Sequence, residues 1–166
     1  MSLFDPPPFL QSFFEWMDAL PLSAIIRESV WLYAVDQVVH LVSMVIFVGA
    51  VLLVDFRLLG RGTRQQPLAQ VARDAQPWLI WSFVGLVVTG IPQLMSTAMK
   101  EYYSPLFWMK MYVLLAAIVF TFTIWQRVTR TDEARLGRVL PKVVALVSMA
   151  LWAGVAASAR LIGLLS

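Results

Sequence analysis

The sequence contains no cysteine and only one histidine, His40, among its 166 residues. The absence of cysteine excludes disulfides, iron–sulfur clusters, thiolate metal sites and thiol catalysis. Charged residues are also scarce, at 14% of the chain, whereas about a quarter of the residues of a soluble domain are charged. This scarcity excludes a soluble globular fold. The small net charge of +3 gives no indication of nucleic-acid binding.

What the sequence has in excess is apolar residues, which make up 60% of the chain and give a mean hydropathy of +0.74. Several apolar runs reach the roughly 18 residues that identify a membrane-spanning helix. They predict an all-α integral membrane protein, an antiparallel four-helix transmembrane bundle. The spans are expected over residues 31–54, 78–99, 106–125 and 139–165, within one transmembrane domain of residues 31–166.

Residues 1–30 precede the first span and are predicted to lie outside the bilayer core. The start lacks the basic region of a cleavable signal peptide, and the prolines at 6–8 make it irregular. Residues 9–20 then have the pattern of an amphipathic helix that is too short to span the membrane. This helix is expected either to lie in the membrane interface or to pack as a lid on the bundle. Pro21 should end it, before a second short helix over residues 22–29.

Positive charge is concentrated in the connections after the first and third spans, and the connection between them has only Lys100, beside Glu101. The N-terminal segment is mainly acidic. The positive-inside rule therefore predicts that both basic connections are cytoplasmic and that both termini are periplasmic. The basic residues are Arg57, Arg61, Arg64 and Arg73 in the first connection, and Arg127, Arg130, Arg135, Arg138 and Lys142 in the other.

Under this orientation, polar side chains from all four spans fall in the outer half of the bilayer: Asp36, His40, Gln93, Lys110 and Arg160. Asp36 and His40 share a helix face because they are four residues apart, and Pro92 should kink the second span beside Gln93. Ionisable groups at membrane depth usually face the bundle interior or a wet cavity. The five residues therefore form a candidate site. The structural alternatives are an ion pair of Asp36 with Lys110 or Arg160, and cations that snorkel to the headgroups.

A haem b is the ligand that this set of residues suits best, with His40 as the axial ligand of the iron. Lys110 and Arg160 would meet the propionates, Asp36 would orient the imidazole or transfer protons, and Gln93 would contribute to the same cofactor site. There is no second histidine, so the other axial ligand would be a methionine or be absent. The candidates are Met44, Met95, Met109, Met111 and Met149.

The haem hypothesis implies a redox or electron-transfer function, and two alternatives remain open. The first is metal or proton handling without haem, in which His40, Asp36 and several methionines could form a transient copper site, since soft thioethers suit Cu(I). The chain could also be a cofactor-free subunit that docks a membrane or periplasmic partner through its N-terminal segment. In either case the lipid bilayer surrounds it.

Two further patterns lead to structural predictions. Ala150, Gly154 and Ser158 recur every fourth residue of the last span, with Ala153 and Ala157 beside them. Such a stripe favours close helix packing within the chain, or the seam of a homodimer. At the end of the first span, Asp55 and Arg57 are expected to pair locally, and Gly60 to end the helix.

The segment Val38–Gly60, with its elements VVHLV, VGAV and VDFRLLG, resembles an uncharacterised family of small bacterial inner-membrane proteins. The pattern of that family is a His-Leu pair, a later glycine and then Asp-Leu-Arg-Leu-Leu-Gly. Pro77-Trp78, Thr89-Gly90 and residues 107–111 also fit, so the resemblance covers most of residues 30–125. It implies a bacterial inner-membrane location and no established activity.

His40 on the first span and Trp108-Met-Lys110 on the third are also similar to a haem-containing bacterial membrane protoporphyrinogen oxidase. They are similar to the copper-resistance D type of membrane protein as well. The resemblance to the oxidase implies functional roles for His40 and Lys110. Residues 121–125 lack the further histidine that is often found late in that third span, which argues against a bis-histidine haem.

Overall fold

The computed structural model describes residues 6–60, 66–131, 137 and 139–165, with side chains as far as Ile162. Regular structure in these residues is entirely helical. Four helices are long and apolar enough to span a membrane, which confirms an all-α chain with four helices of spanning length. The helices are α1 (Gln11–Asp18), α2 (Pro21–Glu28), α3 (Val30–Leu58), α4 (Leu68–Ser96), α5 (Ala98–Tyr102), α6 (Pro105–Phe120), α7 (Gln126–Thr129) and α8 (Leu140–Leu165).

The third spanning helix, Pro105–Thr129, combines α6, a π-helical turn at Thr121–Trp125, and α7. Its start is as predicted, because the Ser104 hydroxyl accepts the Phe107 N–H and Pro105 occupies the first helical position. The π turn was not predicted. A π turn inserts an extra residue into a helix and is frequent at functional sites.

The second span differs most from its predicted boundaries. Helix α4 begins at Leu68 rather than at residue 78, and it continues through both Pro77 and Pro92 to Ser96. Hydropathy identifies only the apolar part of a helix, and the residues before Pro77 include Arg73 and Asp74. The first span ends nearly as expected, because α3 stops at Leu58 and Gly60 has a positive φ of 75°.

The spans pack as two antiparallel pairs. In the first pair α3 runs against α4, so His40 meets Thr89 near one end and the Phe47 and Phe83 rings lie 6.0 Å apart further along. In the second pair the third span runs against α8, and the Trp152 indole donates to the Thr121 hydroxyl at 3.2 Å.

The two pairs meet where the Phe47 and Trp152 rings lie 4.6 Å apart and where Trp125 bonds to Asp55. We call this end of the bundle the Asp55 half, and the opposite end the His40 half. The Asp55 half holds the larger apolar core, which includes Val51, Val54, Leu58, Leu79 and Ala145.

The N-terminal helices cover the end of the His40 half. Phe14 and Met17 of α1 are buried in a second apolar cluster with Tyr102, Trp108 and Ile162. This is the lid arrangement, one of the two predicted alternatives. The other face of these helices is apolar and exposed, as an interfacial helix requires, and includes Phe9, Phe13, Trp16, Leu22 and Ile25.

The small-residue stripe of α8 packs within the chain at Gly154 and Ser158. A Cβ added to Gly154 would lie 3.4 Å from Val113 of the third span, and Ser158 is buried. Ala150, Ala153 and Ala157 are exposed instead. These contacts support close packing of the stripe within the chain, the first of its two predicted roles.

Gly85 allows α3 and α4 to approach closely, and we predict that Gly85→Ala destabilises the protein. The added methyl group would lie 2.5 Å from Ser43 Oγ and 3.2 Å from Ser43 Cβ. Gly49→Ala is the matched control, since a Cβ there meets nothing within 4 Å. Thermal unfolding in detergent should show Gly85→Ala to be less stable than Gly49→Ala by about 1–3 kcal/mol, the usual cost of overpacking. Equal stabilities would contradict this packing.

Candidate functional site

The candidate site centres on His40, whose imidazole is held by a threonine of the neighbouring helix. His40 Nδ1 lies 2.7 Å from Thr89 Oγ1, and Thr89 Oγ1 lies 2.6 Å from the Gly85 carbonyl oxygen. A hydroxyl has one hydrogen to donate, and the carbonyl can only accept. Since the threonine hydrogen goes to the carbonyl, Nδ1 must carry a hydrogen and donate it to Oγ1. The neutral ring then has its lone pair on Nε2.

The imidazole lies beside Gly90 of α4. A Cβ built on Gly90 would lie 3.6 Å from His40 Cε1, an ordinary van der Waals distance. Thr89 is buried and His40 is half-buried. The ring is therefore fixed on its Nδ1 side while one side of it stays accessible.

Asp36 lies one helical turn before His40 and pairs with Gln93. Gln93 Nε2 donates to Asp36 Oδ2 at 3.1 Å. The alternative in which Asp36 forms an ion pair with Lys110 or Arg160 does not describe this contact, because the partner of the carboxylate is a neutral amide. The Asp36 charge is also close enough to interact with His40.

Lys110 approaches the same region from the other helix pair. Its charge interacts with His40 and with Glu101, and its Nζ lies 5.5 Å from the centre of the Phe107 ring. An ammonium over an aromatic face is stabilised by the ring quadrupole. The structure thus brings Asp36, His40, Gln93 and Lys110 into one half of the bundle, as predicted.

Arg160, the fifth predicted member, is exposed on α8. Ser158 and Ile162 are the buried positions of this part of the helix. Arg160 is two residues from each of them and therefore lies on another side of the helix. Its exposure fits a snorkelling cation and does not fit a residue turned into the site.

Glu101, which was predicted only as part of a connection, lies close enough to Lys110 for their charges to interact. It lies on α5, and its Oε2 is buried without a hydrogen-bond partner. Burial raises the pKa of Glu101 above its ordinary value of 4.5, and the charges of Lys110 and Lys100 partly oppose this shift. The feature of the sequence that could have indicated this is an acid, Glu101, with a lysine on either side of it, at 100 and 110.

A second buried acid, Asp55, lies at the opposite end of the bundle. The predicted local pair with Arg57 is wrong: the Trp125 indole donates to Asp55 Oδ1 at 2.7 Å, and Arg57 Nε donates to the Gln66 carbonyl at 3.0 Å. Residues two apart on a helix do not face each other. Asp55 instead shares the buried face of Val51, Val54 and Leu58.

The described residues offer no set of three or more His, Cys, Asp and Glu side chains that could together hold a metal ion. The methionines do not gather around His40 in the contacts described. Met95 is buried in the cluster beneath α1, and Met111 packs against that cluster. A thioether in such surroundings is an ordinary core residue.

Comparison with known proteins identifies a family for this chain. Residues 13–165 match the model of a family of unknown function (DUF6644). No curated protein and no solved structure matches the chain. The predicted resemblance to an uncharacterised family is thus confirmed at that level. The similarity to the oxidase and to the copper-resistance proteins gains no support.

The buried Glu101 carboxyl predicts a dependence of stability on pH. A raised pKa means that, above 4.5, the folded protein holds this proton more tightly than the unfolded chain does. Stability should therefore fall as the pH rises through the interval between 4.5 and the folded-state pKa. Glu101→Gln should remove this part of the fall in thermal unfolding measured from acidic to neutral pH.

Glu28→Gln is the control for this measurement because Glu28 is exposed. The control should keep the wild-type pH dependence. A Glu101→Gln variant that has the same pH profile as the wild type would show that the carboxyl contributes nothing to it.

Proposed function

We propose that this chain, which belongs to the DUF6644 family of unknown function, is a haem b-binding membrane protein with a redox or electron-transfer role. His40 is the axial ligand in this proposal, through Nε2. Lys110 is the cation that meets a propionate, and Asp36 and Gln93 form the polar wall beside the imidazole.

The observation that carries the proposal is the hydrogen-bond chain from His40 Nδ1 through Thr89 Oγ1 to the Gly85 carbonyl. Histidines that bind metals usually donate their other ring N–H to a neighbouring acceptor, which fixes the tautomer and the ring orientation. Thr89 supplies that acceptor here. It leaves Nε2 as a pre-oriented lone pair on a half-buried ring.

A porphyrin suits this site better than a bare metal ion does. A copper or zinc ion takes most of its ligands, usually three or four, from the protein, and the described residues provide no cluster of three or more carboxylates and histidines for one. A porphyrin brings four nitrogens of its own and asks the protein for as little as one axial ligand. One well-oriented histidine therefore fits haem.

The surroundings of His40 fit the rest of the cofactor in part. Lys110, from the other helix pair, supports a propionate contact because it lies close enough to His40 for its charge to act on the imidazole. Arg160 does not support one because it is exposed. Bound haem would supply one-electron chemistry.

The chain's own residues would prepare that chemistry. Thr89 holds the imidazole in one tautomer, and Gln93 holds the Asp36 carboxylate one turn away, where its charge acts on the ring. Substitution of His40, the one axial ligand, or of Lys110, the one cation for a propionate, therefore tests the proposal most directly.

The proposed setting is a bacterial inner membrane with both termini periplasmic, so that His40 lies in the outer half. Exposed basic side chains at the Asp55 end support this orientation: Arg73, Arg127, Arg130 and Lys142. Arg61, Arg64, Arg135 and Arg138, on which the same prediction rests, lie outside the described residues, as does Asp5.

We predict that the protein, purified in detergent after expression with sufficient haem, has a Soret absorption band that His40→Ala abolishes. The reason is that no second histidine can replace the ligand. Arg160→Ala, which changes an exposed residue, should keep the band. A folded wild-type protein that contains no haem under these conditions would refute the proposal.

Thr89→Val should weaken haem retention without removing the ligand. The valine keeps the shape of the side chain but leaves His40 Nδ1–H without its acceptor, and loss of such a partner typically reduces metal affinity roughly 10- to 100-fold. Thr89→Ser is the control because it keeps the hydroxyl. Haem transfer to an excess of apomyoglobin measures retention, and equal transfer rates for the valine and serine variants would remove Thr89 from the proposal.

The same purification also tests the two alternative functions. Metal analysis that finds copper in place of haem would favour copper handling by His40 and methionines. A colourless protein that brings a membrane or periplasmic partner with it would favour an accessory subunit, with the exposed apolar face of α1 and α2 as the docking surface. A homodimer through the exposed alanines of α8 would appear as a doubled mass in detergent.

A further inference from the structure

We propose that the cleft between α4 and the π turn of the third span binds an anionic phospholipid of the surrounding membrane. Arg73 and Arg130 hold the phosphate at the mouth of the cleft, and the first part of an acyl chain lies along its apolar wall. The site is in the Asp55 half of the bundle, away from His40, and does not depend on the proposed haem.

The cleft is a groove between one face of α4 and one face of the third span. On α4 its lining residues recur with the helical period over residues 72–80, so they share one side of that helix. On the third span they fall within residues 121–130, which include the π turn. The Phe83 and Phe122 rings lie 5.6 Å apart and join the two helices at the inner end of the cleft. The other end lies near the start of α4 and the end of α7.

The lining changes from basic to apolar along the helix axes. Arg73 and Arg130 are exposed at the outer end, and the amides of Gln76 and Gln126 lie one turn further in. Beyond them the lining is mainly apolar and includes Phe47, Leu79, Ile80, Phe122 and Trp125. The seven to nine residues from the arginines to the inner end span roughly 10–13 Å at 1.5 Å per residue. A phosphate followed by the first part of an acyl chain has the same order of polarity over this length.

The two arginines give the mouth of the cleft a positive charge. Among the residues that the structure describes, neither Arg73 nor Arg130 forms an ion pair. Asp74, the acid next to Arg73, lines a different groove, which faces α3. Exposed Arg127 and Lys142 add positive charge at the same end. Because a guanidinium can bind two phosphate oxygens through parallel hydrogen bonds, a phosphate is the anion that this pair suits.

The small enclosed volume favours a lipid over a compact soluble phosphate. The cavity is only about 30 Å³, room for about two water molecules, so a nucleotide would have most of its surface outside it. An extended acyl chain needs no enclosure because its other side faces neighbouring lipid tails. Ile80 and Phe122 are 45% and 42% exposed, so the apolar wall is open to such a chain. Basic pockets between spanning helices bind the head groups of anionic lipids in this way.

The test is the effect of lipid on thermal unfolding of the full-length protein in a neutral detergent. Palmitoyl-oleoyl phosphatidylglycerol should raise the unfolding temperature with increasing concentration, as a ligand of the folded state does. Phosphatidylcholine with the same chains, whose head group has no net charge, should not. Arg73→Gln combined with Arg130→Gln should raise the phosphatidylglycerol concentration for half-maximal stabilisation roughly 10- to 30-fold.

Arg127→Gln combined with Lys142→Gln is the matched control. It removes the same charge from exposed residues at the same end of the bundle, but neither residue lines the cleft. This double variant should respond to phosphatidylglycerol as the wild type does. Equal losses in the two double variants would overturn the proposal, since the response would then depend on the total charge of this end and not on the cleft.

Inorganic phosphate and glycerol 3-phosphate, at matched ionic strength, present the head group without a chain. Neither should stabilise the wild type at concentrations at which the lipid is saturating. Equal stabilisation by phosphate would overturn the lipid assignment in favour of a simple anion site, and no stabilisation by phosphatidylglycerol would overturn the proposal outright. Haem content should be the same in the wild type and both double variants. This site and the His40 site can therefore fail independently.

Discussion

An uncompensated polar group in an apolar bundle costs several kcal/mol. This cost explains why polar side chains that lie between the long helices, in the part of the chain that the structure describes, are hydrogen-bonded to each other. Hydrogen bonds join Thr89 to His40, Gln93 to Asp36, Trp125 to Asp55 and Trp152 to Thr121. The first two contacts join α3 to α4, the third joins the two helix pairs, and the last joins the third span to α8. The polar pairs therefore set the helix registers that apolar packing alone would leave less defined.

The same constraint fixes the ionisable side chains of α3 that face other helices. His40 is oriented through Nδ1 by Thr89, and Asp55 is oriented through Oδ1 by the Trp125 indole. The two ends differ in accessibility, because His40 is half-buried whereas Asp55 is fully buried.

Hydropathy and spacing were enough to predict the four long helices, the Ser104-Pro105 helix start and the end of α3 near Gly60. They also predicted the approach of Asp36, His40, Gln93 and Lys110, because ionisable residues in a spanning helix turn inward. Arg160 was misplaced since depth in the membrane says nothing about which side of α8 a residue occupies. Its neighbours Ser158 and Ile162 define the buried side, and their burial required the packing of the third span to be known.

Asp55 was misread for the opposite reason. The predicted local pair rested on Arg57 two residues away, whereas Asp55 lies on the buried face of α3 with Val51, Val54 and Leu58. That alignment turns the carboxyl into the core, where its only route to a hydrogen bond is a residue from another helix. Trp125 provides it from the end of the π turn, and no period in the sequence reveals a π turn. A polar residue on the apolar face of a spanning helix is therefore better read against the face it shares than against its sequence neighbours. By that rule Asp55 and His40 belong to one class, because a hydrogen bond to a residue of another helix orients each of them.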